Sequence, residues 1–393
     1  MPPTATRAAI LLLAGILTIA CNRSSASVQT NGSRHLQVSG TTFVSTGRAF
    51  SWRGITAFRL LEYVARGKEA DADRFLSWAG SQHLTVVRVL AMGQGFMSLS
   101  PSEGRSALPR LLEMAAKHDL HVEIVALAGT RDAAVDLDDH LAGLGRIAAQ
   151  HDNVILEIAN EPVHPTQNAA VQRADVLARL RTRVPAEVPV ALGAVEGGDG
   201  FAAGDYVTWH VPRDDRFEGW GHVLAIAQGA DFVRRWNKPV VSDEPIGAGP
   251  RYEPGRRDDM PSRFRAAALV TRLAGLGATF HYEGGLQATI PAGRELECFN
   301  AWNEAWRLLP IDVESSGTFR RAGDAGAAVA GFGPDKALAA FERQRGPAAW
   351  IVVINPLENL EIRWSAGWTP GQVRRLQGAW VLTARRDPRE RFK

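Results

Sequence analysis

The chain contains 393 residues, of which 45% are hydrophobic and 22% are charged, and its 45 basic and 42 acidic side chains leave a formal net charge of +3. This composition is typical of a globular protein and excludes an extended disordered chain. The arginines are scattered, and the one basic cluster is the terminal stretch 385–393, which reads as a solvated end. A nucleic-acid-binding protein is therefore disfavoured.

The first residues have the pattern of an export signal. An uncharged apolar run over residues 8–20 is shorter than the roughly 20 residues of a membrane span but typical of a signal-peptide core. Cys21 follows at once, as in a bacterial lipoprotein signal, and cleavage after Ala26 is the alternative. We therefore expect a signal peptide over 1–21, a polar tether over 22–35 and an exported protein, periplasmic or extracellular, with Cys21 as the candidate lipid anchor.

A predicted β-hairpin over residues 36–57 leads into a series of short apolar runs that alternate with segments of helical periodicity. These runs are rich in β-branched residues, as strands are. They cover residues 53–58, 85–91, 121–128, 153–162, 188–195, 206–212, 238–245 and 277–285. Their apolar character is continuous, which indicates a parallel sheet covered on both faces, and eight units favour a closed (β/α)₈ TIM barrel over residues 36–310.

One unit of this series is shorter than the others. The runs that start at 188 and 206 are separated by a Gly- and Asp-rich stretch with no helical pattern. We expect that unit to have a loop in place of its helix. After residue 310 the segments are short and strand-like, so residues 311–393 are predicted to form a small β-rich domain, and the default expectation for the whole chain is a monomer.

Two carboxylates stand where predicted strands end. Asn160 and Glu161 close the fourth run before a proline, and Glu244 closes the seventh. Active residues of a TIM barrel lie at the carboxyl ends of its strands, so these side chains should face each other across the barrel mouth. Such a pair suits glycosidic cleavage, in which one carboxyl group protonates the leaving oxygen and the other attacks the anomeric carbon.

The arrangement resembles the clan A glycoside hydrolases, most nearly family 5, over residues 36–310. The resemblance implies that Glu161 is the acid/base and Glu244 the nucleophile of a retaining hydrolase acting on β-linked glycans or glycosides, without a cofactor. It also implies that Asn160 hydrogen-bonds the sugar 2-hydroxyl and that Arg88 keeps the nucleophile ionised. His210 corresponds to a histidine near the site in that family.

The chain departs from the family pattern at several positions. The tyrosine that usually follows the histidine at 210 is absent, as is a histidine on the third strand, and His281 and Tyr282 stand where a tryptophan is usual. Trp209 and Tyr282 are candidates for sugar platforms, because flat apolar rings stack on sugar faces, with core packing as the alternative for each. These departures leave the sugar undefined.

Three other functions are alternatives to this interpretation. A metal-dependent barrel hydrolase is disfavoured, because the first predicted strand has no His-x-His pair and the ten histidines are dispersed, so we expect no metal site. A lipoprotein that binds glycans without cleaving them would not require two matched carboxylates. A transglycosylase would share the covalent intermediate, and the sequence does not separate it from a hydrolase.

Overall fold

The computed structural model describes residues 35–95, 97–212, 216–244, 259–310, 313, 317–333 and 337–387. The predicted signal peptide, Cys21 and nearly all of the predicted tether lie outside the described residues. Within these ranges no helix is both long and apolar enough to cross a membrane.

A three-stranded antiparallel sheet precedes the barrel and includes the predicted hairpin. Its strands are β1 (Gln37–Ser39), β2 (Thr42–Ser45) and β3 (Arg48–Phe50). The buried ring of Phe43 lies 5.1 Å from that of Trp52 and 5.4 Å from that of Tyr206, measured between centroids. Because Trp52 and Tyr206 directly precede barrel strands, this aromatic contact holds the small sheet against the amino-terminal end of the barrel.

Eight parallel strands form the barrel sheet, in the order β8-β7-β6-β5-β4-β11-β10-β9. Their alternation with helices and their continuous burial match the pattern predicted for a (β/α)₈ barrel. The strands are β4 (Arg53–Thr56), β5 (Val86–Leu90), β6 (His121–Leu127), β7 (Val154–Ala159), β8 (Val190–Gly193), β9 (Val207–Trp209), β10 (Val240–Ser242) and β11 (Gly277–Phe280).

The seam between β8 and β9 differs from every other junction of the barrel. No strand ladder joins them in the part of the chain that the structure describes. Instead, the backbone N–H of Asp205 donates to the carbonyl oxygen of Val190 at 2.6 Å, and the Asp205 carboxylate accepts from the Val190 N–H at 2.9 Å. The connection contains two 3₁₀ turns, Val195–Gly197 and Asp199–Ala203, in place of a crossover α-helix. The predicted loss of that helix is confirmed.

The helices pack their apolar faces against the barrel. In α4, Leu141, Leu144 and Ala148 follow one another at helical spacing, and all three are fully buried. Helix α3 begins at Pro101, because Ser100 at the N-cap and Glu103 at the third helical position form a capping box. The helices are α1 (Leu60–Ala65), α2 (Glu69–Ser81), α3 (Pro101–Ala116), α4 (Leu137–Ala148), α5 (Ala174–Arg181), α6 (Arg216–Gly219), α7 (Gly221–Ala225), α8 (Gly229–Trp236), α9 (Pro261–Ala274), α10 (Glu283–Leu286) and α11 (Gly293–Trp306).

The carboxyl-terminal part is β-rich, and it shares the core of the barrel. A five-stranded antiparallel sheet has the order β12-β14-β15-β18-β17, and β13 pairs with β16. One face of the larger sheet, with Phe341 and Val352, belongs to the same apolar cluster as the barrel helices. Arg343 Nε donates to the carbonyl oxygen of Leu273 in α9 at 2.6 Å. The strands are β12 (Thr318–Arg321), β13 (Val329–Phe332), β14 (Ala339–Arg345), β15 (Ala348–Ile354), β16 (Ile362–Trp364), β17 (Trp368–Leu376) and β18 (Ala379–Arg386).

Candidate active site

The turn after β7 carries Asn160 and Glu161 in a fixed conformation. The backbone N–H of Asn160 donates to the Leu127 carbonyl oxygen at 3.0 Å, and the Gln167 side-chain amide donates to the Asn160 carbonyl oxygen at 2.5 Å. Glu161 has a φ of +41°, a left-handed conformation that is uncommon for a residue with a side chain. Its side chain is 40% exposed at the barrel mouth. Local strain of this kind concentrates at functional sites.

Glu244 reaches the same mouth from the other side, two residues past β10. Its side chain is 10% exposed, and three cationic or basic groups face it. Its oxygens lie 3.7 Å from Arg88 Nη1, 3.9 Å from His210 Nδ1 and 3.9 Å from His281 Nε2. The other ring nitrogen of His281 is hydrogen-bonded to Thr56 Oγ1 at 3.0 Å, which fixes that ring. His281 therefore lies beside Glu244 at the barrel mouth.

Arg88 is fully buried in the barrel and contacts both sides of the site. Its Nη2 donates to Glu157 at 2.6 Å and to Asn160 Oδ1 at 2.9 Å, while its Nη1 faces Glu244. Burial alone would lower the pKa of Arg88, but the surrounding carboxylates, with Glu157 and Asp243 foremost, outweigh it and raise that pKa well above its usual value. The guanidinium is thus a permanent positive charge in the wall of the site.

His210 lies between the two candidate catalytic carboxylates. Its Nδ1 is 3.5 Å from Glu161 Oε1 and 3.9 Å from Glu244 Oε2, and its backbone N–H donates to the Glu196 carboxylate. Burial opposes protonation, but the charges of Glu244 and Glu161 prevail and raise the pKa of His210 to about 10. The interaction with this imidazolium, 3.5 Å away, lowers the pKa of Glu161 in turn. At neutral pH the proton of the pair therefore resides on His210.

The spacing of the two carboxylates can be compared with glycosidic cleavage. One oxygen of Glu161, one of Glu244 and a His210 nitrogen all lie within 4.8 Å of one another. Carboxyl groups about 5–5.5 Å apart are typical of retaining enzymes, whereas inverting enzymes need a wider gap for water.

Two aromatic residues predicted from the sequence as sugar platforms are placed elsewhere. Trp209 and Tyr282 are 3% and 0% exposed. The Trp209 ring packs edge-on against Phe232 at 5.1 Å, and the Tyr282 hydroxyl donates to the Thr289 carbonyl oxygen at 2.5 Å. Both rings fill the layer between strands and helices, because successive side chains of a strand point to opposite faces. In this structure neither ring offers a face to a sugar, and packing is the observed role.

Sequence reasoning did not single out three acids inside the barrel. Glu123, Glu157 and Asp243 are fully buried, and one oxygen of each lies within 4.8 Å of the others. The available signal was an acidic residue inside an otherwise apolar run, as at the third position of β6 and the fourth of β7. In a strand covered on both faces such a residue must point into the protein and find a partner there.

Two clusters have the residue types of a metal site, but in each a side chain already supplies the positive charge. In the upper cluster, formed by Glu161, His210 and Glu244, that charge is on His210. The lower cluster consists of Glu123, Glu157 and Asp243. In the lower cluster Arg88 lies 2.6 Å from Glu157, 3.6 Å from Glu123 and 4.0 Å from Asp243. These contacts fit two ion-paired clusters better than two ion-binding sites.

A cleft of about 480 Å³ opens beside Glu161. Its walls come from the loops that follow β4, β5, β6 and β7, and they combine hydrogen-bonding side chains with apolar surface. The residues that offer side-chain hydrogen bonds or an apolar face to it include Phe58, Gln94, Arg131, Asp132, Asn160 and His164. A mixture of apolar surface with a few convergent polar groups is typical of ligand-binding clefts.

Comparison with known proteins identifies the fold. No protein-family model and no curated protein sequence matches the chain. Solved structures do. A family 5 glycoside hydrolase mannosidase from Rhizomucor miehei matches with a TM-score of 0.52 and 11% identity, over 72% of this chain and 99% of that chain. A family 5, subfamily 18 glycoside hydrolase from Bifidobacterium longum subsp. infantis gives 0.50 and 12%, over 66% and 79%.

A third structure extends the similarity into the carboxyl-terminal sheets. It is a chain from Bacteroides vulgatus ATCC 8482, provisionally named a glycoside hydrolase, with a TM-score of 0.58 and 13% identity, over 91% of this chain and 83% of that chain. The chain thus has the (β/α)₈ fold of family 5 glycoside hydrolases, as the sequence pattern predicted. At these identities the similarity concerns the fold.

Proposed function

We propose that the chain is a retaining glycoside hydrolase that acts on β-linked glycans or glycosides, with Glu161 as acid/base and Glu244 as nucleophile. The observation that carries the proposal is the placement of these two carboxylates at the ends of β7 and β10, with oxygens within 4.8 Å. The names of the structurally similar proteins add support, and they make mannosides the first substrates to test.

In the first step, Glu244 attacks the anomeric carbon while the leaving oxygen takes a proton. Arg88, 3.7 Å from Glu244, favours the ionised carboxylate that this attack requires. The proton comes from the Glu161–His210 pair, because His210 holds it at neutral pH and its Nδ1 lies 3.5 Å from Glu161 Oε1. Glu161 delivers it, since its side chain is the more exposed member of the pair.

The second step needs a base, and the same pair supplies it. Once Glu244 is esterified, its negative charge no longer supports the proton on His210 or repels the negative charge of Glu161. Glu161 then accepts a proton from the attacking water, and the configuration at the anomeric carbon is retained. Asn160 is held by Arg88 at 2.9 Å in a position to hydrogen-bond a sugar hydroxyl.

We propose that this activity lies outside the cytoplasm. The apolar run over residues 8–20 followed by Cys21 supports a periplasmic or extracellular hydrolase anchored by a lipid. Polysaccharides and oligosaccharides are the substrates accessible there.

The decisive experiment compares Glu161→Ala and Glu244→Ala on an activated dinitrophenyl β-glycoside, chosen from a screen that begins with mannosides. Glu161→Ala should form the glycosyl-enzyme, because this leaving group needs no acid, and then stall. Azide needs no general base and should release a glycosyl azide of retained configuration. Glu244→Ala cannot form the intermediate, so azide should attack directly and give the inverted anomer.

The surface variant Glu113→Ala serves as the matched control and should behave as wild type, because its side chain is 57% exposed on α3. If Glu161→Ala and Glu244→Ala gave the same anomer of the glycosyl azide, or if either kept full activity, the assignment of roles would be wrong. Product analysis with added sugar acceptors separates the transglycosylase alternative. Binding of glycans without turnover of any activated substrate would identify a non-catalytic glycan-binding protein.

A further inference from the structure

Beneath the candidate nucleophile, three buried carboxyl groups surround one guanidinium. Glu123 of β6, Glu157 of β7 and Asp243, directly before Glu244, all contact Arg88. The distances to the guanidinium nitrogens are 3.6, 2.6 and 4.0 Å, and all four side chains are fully buried. If every acid were ionised, three negative charges would face one positive charge before Glu244 is counted.

The three acids differ in their hydrogen bonds. Both oxygens of Glu157 accept one, from Arg88 Nη2 at 2.6 Å and from Thr208 at 2.8 Å. Glu123 and Asp243 each use one oxygen. Glu123 Oε1 accepts from the Tyr206 hydroxyl at 2.8 Å, and Asp243 Oδ1 accepts from Thr279 at 3.1 Å.

The second oxygens of these two acids share one environment. Glu123 Oε2 and Asp243 Oδ2 have no hydrogen-bond partner among the described residues, and both face Arg88 Nε. The two side chains have oxygens within 4.8 Å of each other. A proton held by either acid would turn an unsatisfied acceptor into a donor and would leave the two side chains with one negative charge between them.

Electrostatics favours that proton. A buried ionised carboxylate without full compensation costs several kcal/mol, and such a group takes up a proton instead. Burial raises the pKa of Asp243 to about 7, with Glu157 adding to the shift and Arg88 and His210 opposing it. Burial and the charge of Asp243 raise the pKa of Glu123 well above its usual value.

We propose that Glu123 and Asp243 share a single proton beneath Glu244 and act as a positioning pair that sets how readily Glu244 ionises. The pair then carries one negative charge. With the negative charge of Glu157 and the positive charge of Arg88, the four side chains together have a net charge of −1. The catalytic consequence rests on the proposed function of Glu244, whereas the shared proton does not.

A shared proton makes an unusual prediction for single substitutions. In Glu123→Gln the remaining Asp243 ionises, and in Asp243→Asn the remaining Glu123 ionises, so the pair keeps its charge of −1 in each case. The acidic limb of the pH–rate profile should stay in place in both single variants. In the double variant the pair is neutral, Glu244 ionises more readily, and the limb should move to lower pH by about 1 unit.

The proton itself can be observed by infrared difference spectroscopy on the full chain, without reference to activity. Wild type at neutral pH should show a protonated-carboxyl C=O band that is absent from both Glu123→Gln and Asp243→Asn. The control Asp138→Asn removes a surface carboxylate whose hydrogen bonds to Arg179 and Arg183 lower its pKa to about 2, so the band should remain.

The outcomes separate the two hypotheses. If only one of the two single variants lost the band, the proton would belong to the residue replaced in that variant, and sharing would be wrong. A wild-type protein without the band at neutral pH would also refute the shared proton, even if the variants failed to fold. A shift of the acidic limb of the pH–rate profile in either single variant would contradict the prediction that the Glu123–Asp243 pair keeps its charge. A protein that shows the band in the predicted pattern but cleaves no glycoside would refute the proposed function and leave the shared proton standing.

Discussion

Arg88 Nη2 donates to Asn160 Oδ1 at 2.9 Å, which joins β5 to the turn that carries Glu161. The same guanidinium faces Glu244 through Nη1 at 3.7 Å. One side chain therefore links the two candidate catalytic carboxylates, which belong to distant parts of the chain. A change at this position should affect both the orientation of one carboxylate and the charge of the other.

Replacing Arg88 should move the acidic limb of the pH–rate profile upward. In Arg88→Met the positive charge beside Glu244 is lost, so the carboxylate is harder to ionise, and activity should fall at a higher pH than in wild type. Removing one partner from a buried ion cluster should also lower the free energy of unfolding by about 3–5 kcal/mol. Arg88→Lys keeps the charge and should hold the limb nearer its original position. A folded Arg88→Met variant with an unchanged limb would restrict Arg88 to a structural role.

His210 should make the folded protein less stable at alkaline pH. Its pKa is raised to about 10 in the folded state, against about 6.5 for an unperturbed histidine. The folded state thus binds the proton more tightly, so this stabilisation is complete below pH 6.5 and is lost as the pH rises towards 10. His210→Gln should flatten that part of the profile of melting temperature against pH.

The surface variant His118→Gln provides the comparison for this measurement, because His118 pairs with Asp73 at the protein surface. Its melting temperature should follow the wild-type pH dependence. An equally steep alkaline decline in His210→Gln would show that other groups cause the effect.

The carboxyl-terminal sheet should unfold together with the barrel. Phe341 is 2% exposed, stacks on Phe319 at 5.8 Å and belongs to the cluster that includes the barrel helices. Phe341→Ala should lower the free energy of unfolding by about 3–5 kcal/mol. Denaturation followed by fluorescence and by circular dichroism should keep a single, coincident transition. Val373→Ala, at a side chain that is 48% exposed, should change stability little. A separate early transition in Phe341→Ala would indicate that the sheet folds as an independent unit.

Cys21 should determine where the protein resides. If the apolar run over residues 8–20 is a lipoprotein signal, wild type expressed in a bacterial host should sediment with membranes. Cys21→Ala should be released into the soluble exported fraction, and Cys298→Ala should not be. A wild-type protein that is wholly soluble after export would replace lipidation with simple signal cleavage.

The barrel was predictable because its signals are local and repeated. Eight apolar runs with helical segments between them specify a closed parallel sheet, and the carboxyl ends of its strands must meet at one mouth. That rule brings Glu161 and Glu244 together from sequence alone. It also predicted the missing helix after β8, because the intervening stretch is too short and too rich in glycine.

The direction in which a side chain points was much harder to predict. Trp209 and His210 are neighbours at the end of β9, yet the ring of the first packs outward against α8 and that of the second faces the site. Successive side chains of a strand point to opposite faces of the sheet. An error of one residue in the predicted register therefore reverses both assignments. Glu123 and Glu157 were overlooked for another reason: an isolated acid in an apolar run has no visible partner until the barrel brings four strands together.

The seam at Asp205 has a consequence for the mechanics of the barrel. Seven of its junctions are strand ladders, while β8 and β9 are joined through Asp205, which Arg181 holds by a bond of 2.9 Å from Nη2. The barrel sheet is therefore closed at one junction by the hydrogen bonds of a single residue instead of by a strand ladder. Opening of the barrel should require the least free energy between β8 and β9, because it breaks a few hydrogen bonds of one residue, Asp205, rather than a strand ladder. Amide hydrogens of β8 and β9 should exchange with solvent sooner than those of β5 and β6, and this junction is the natural place at which to cut and rejoin the chain.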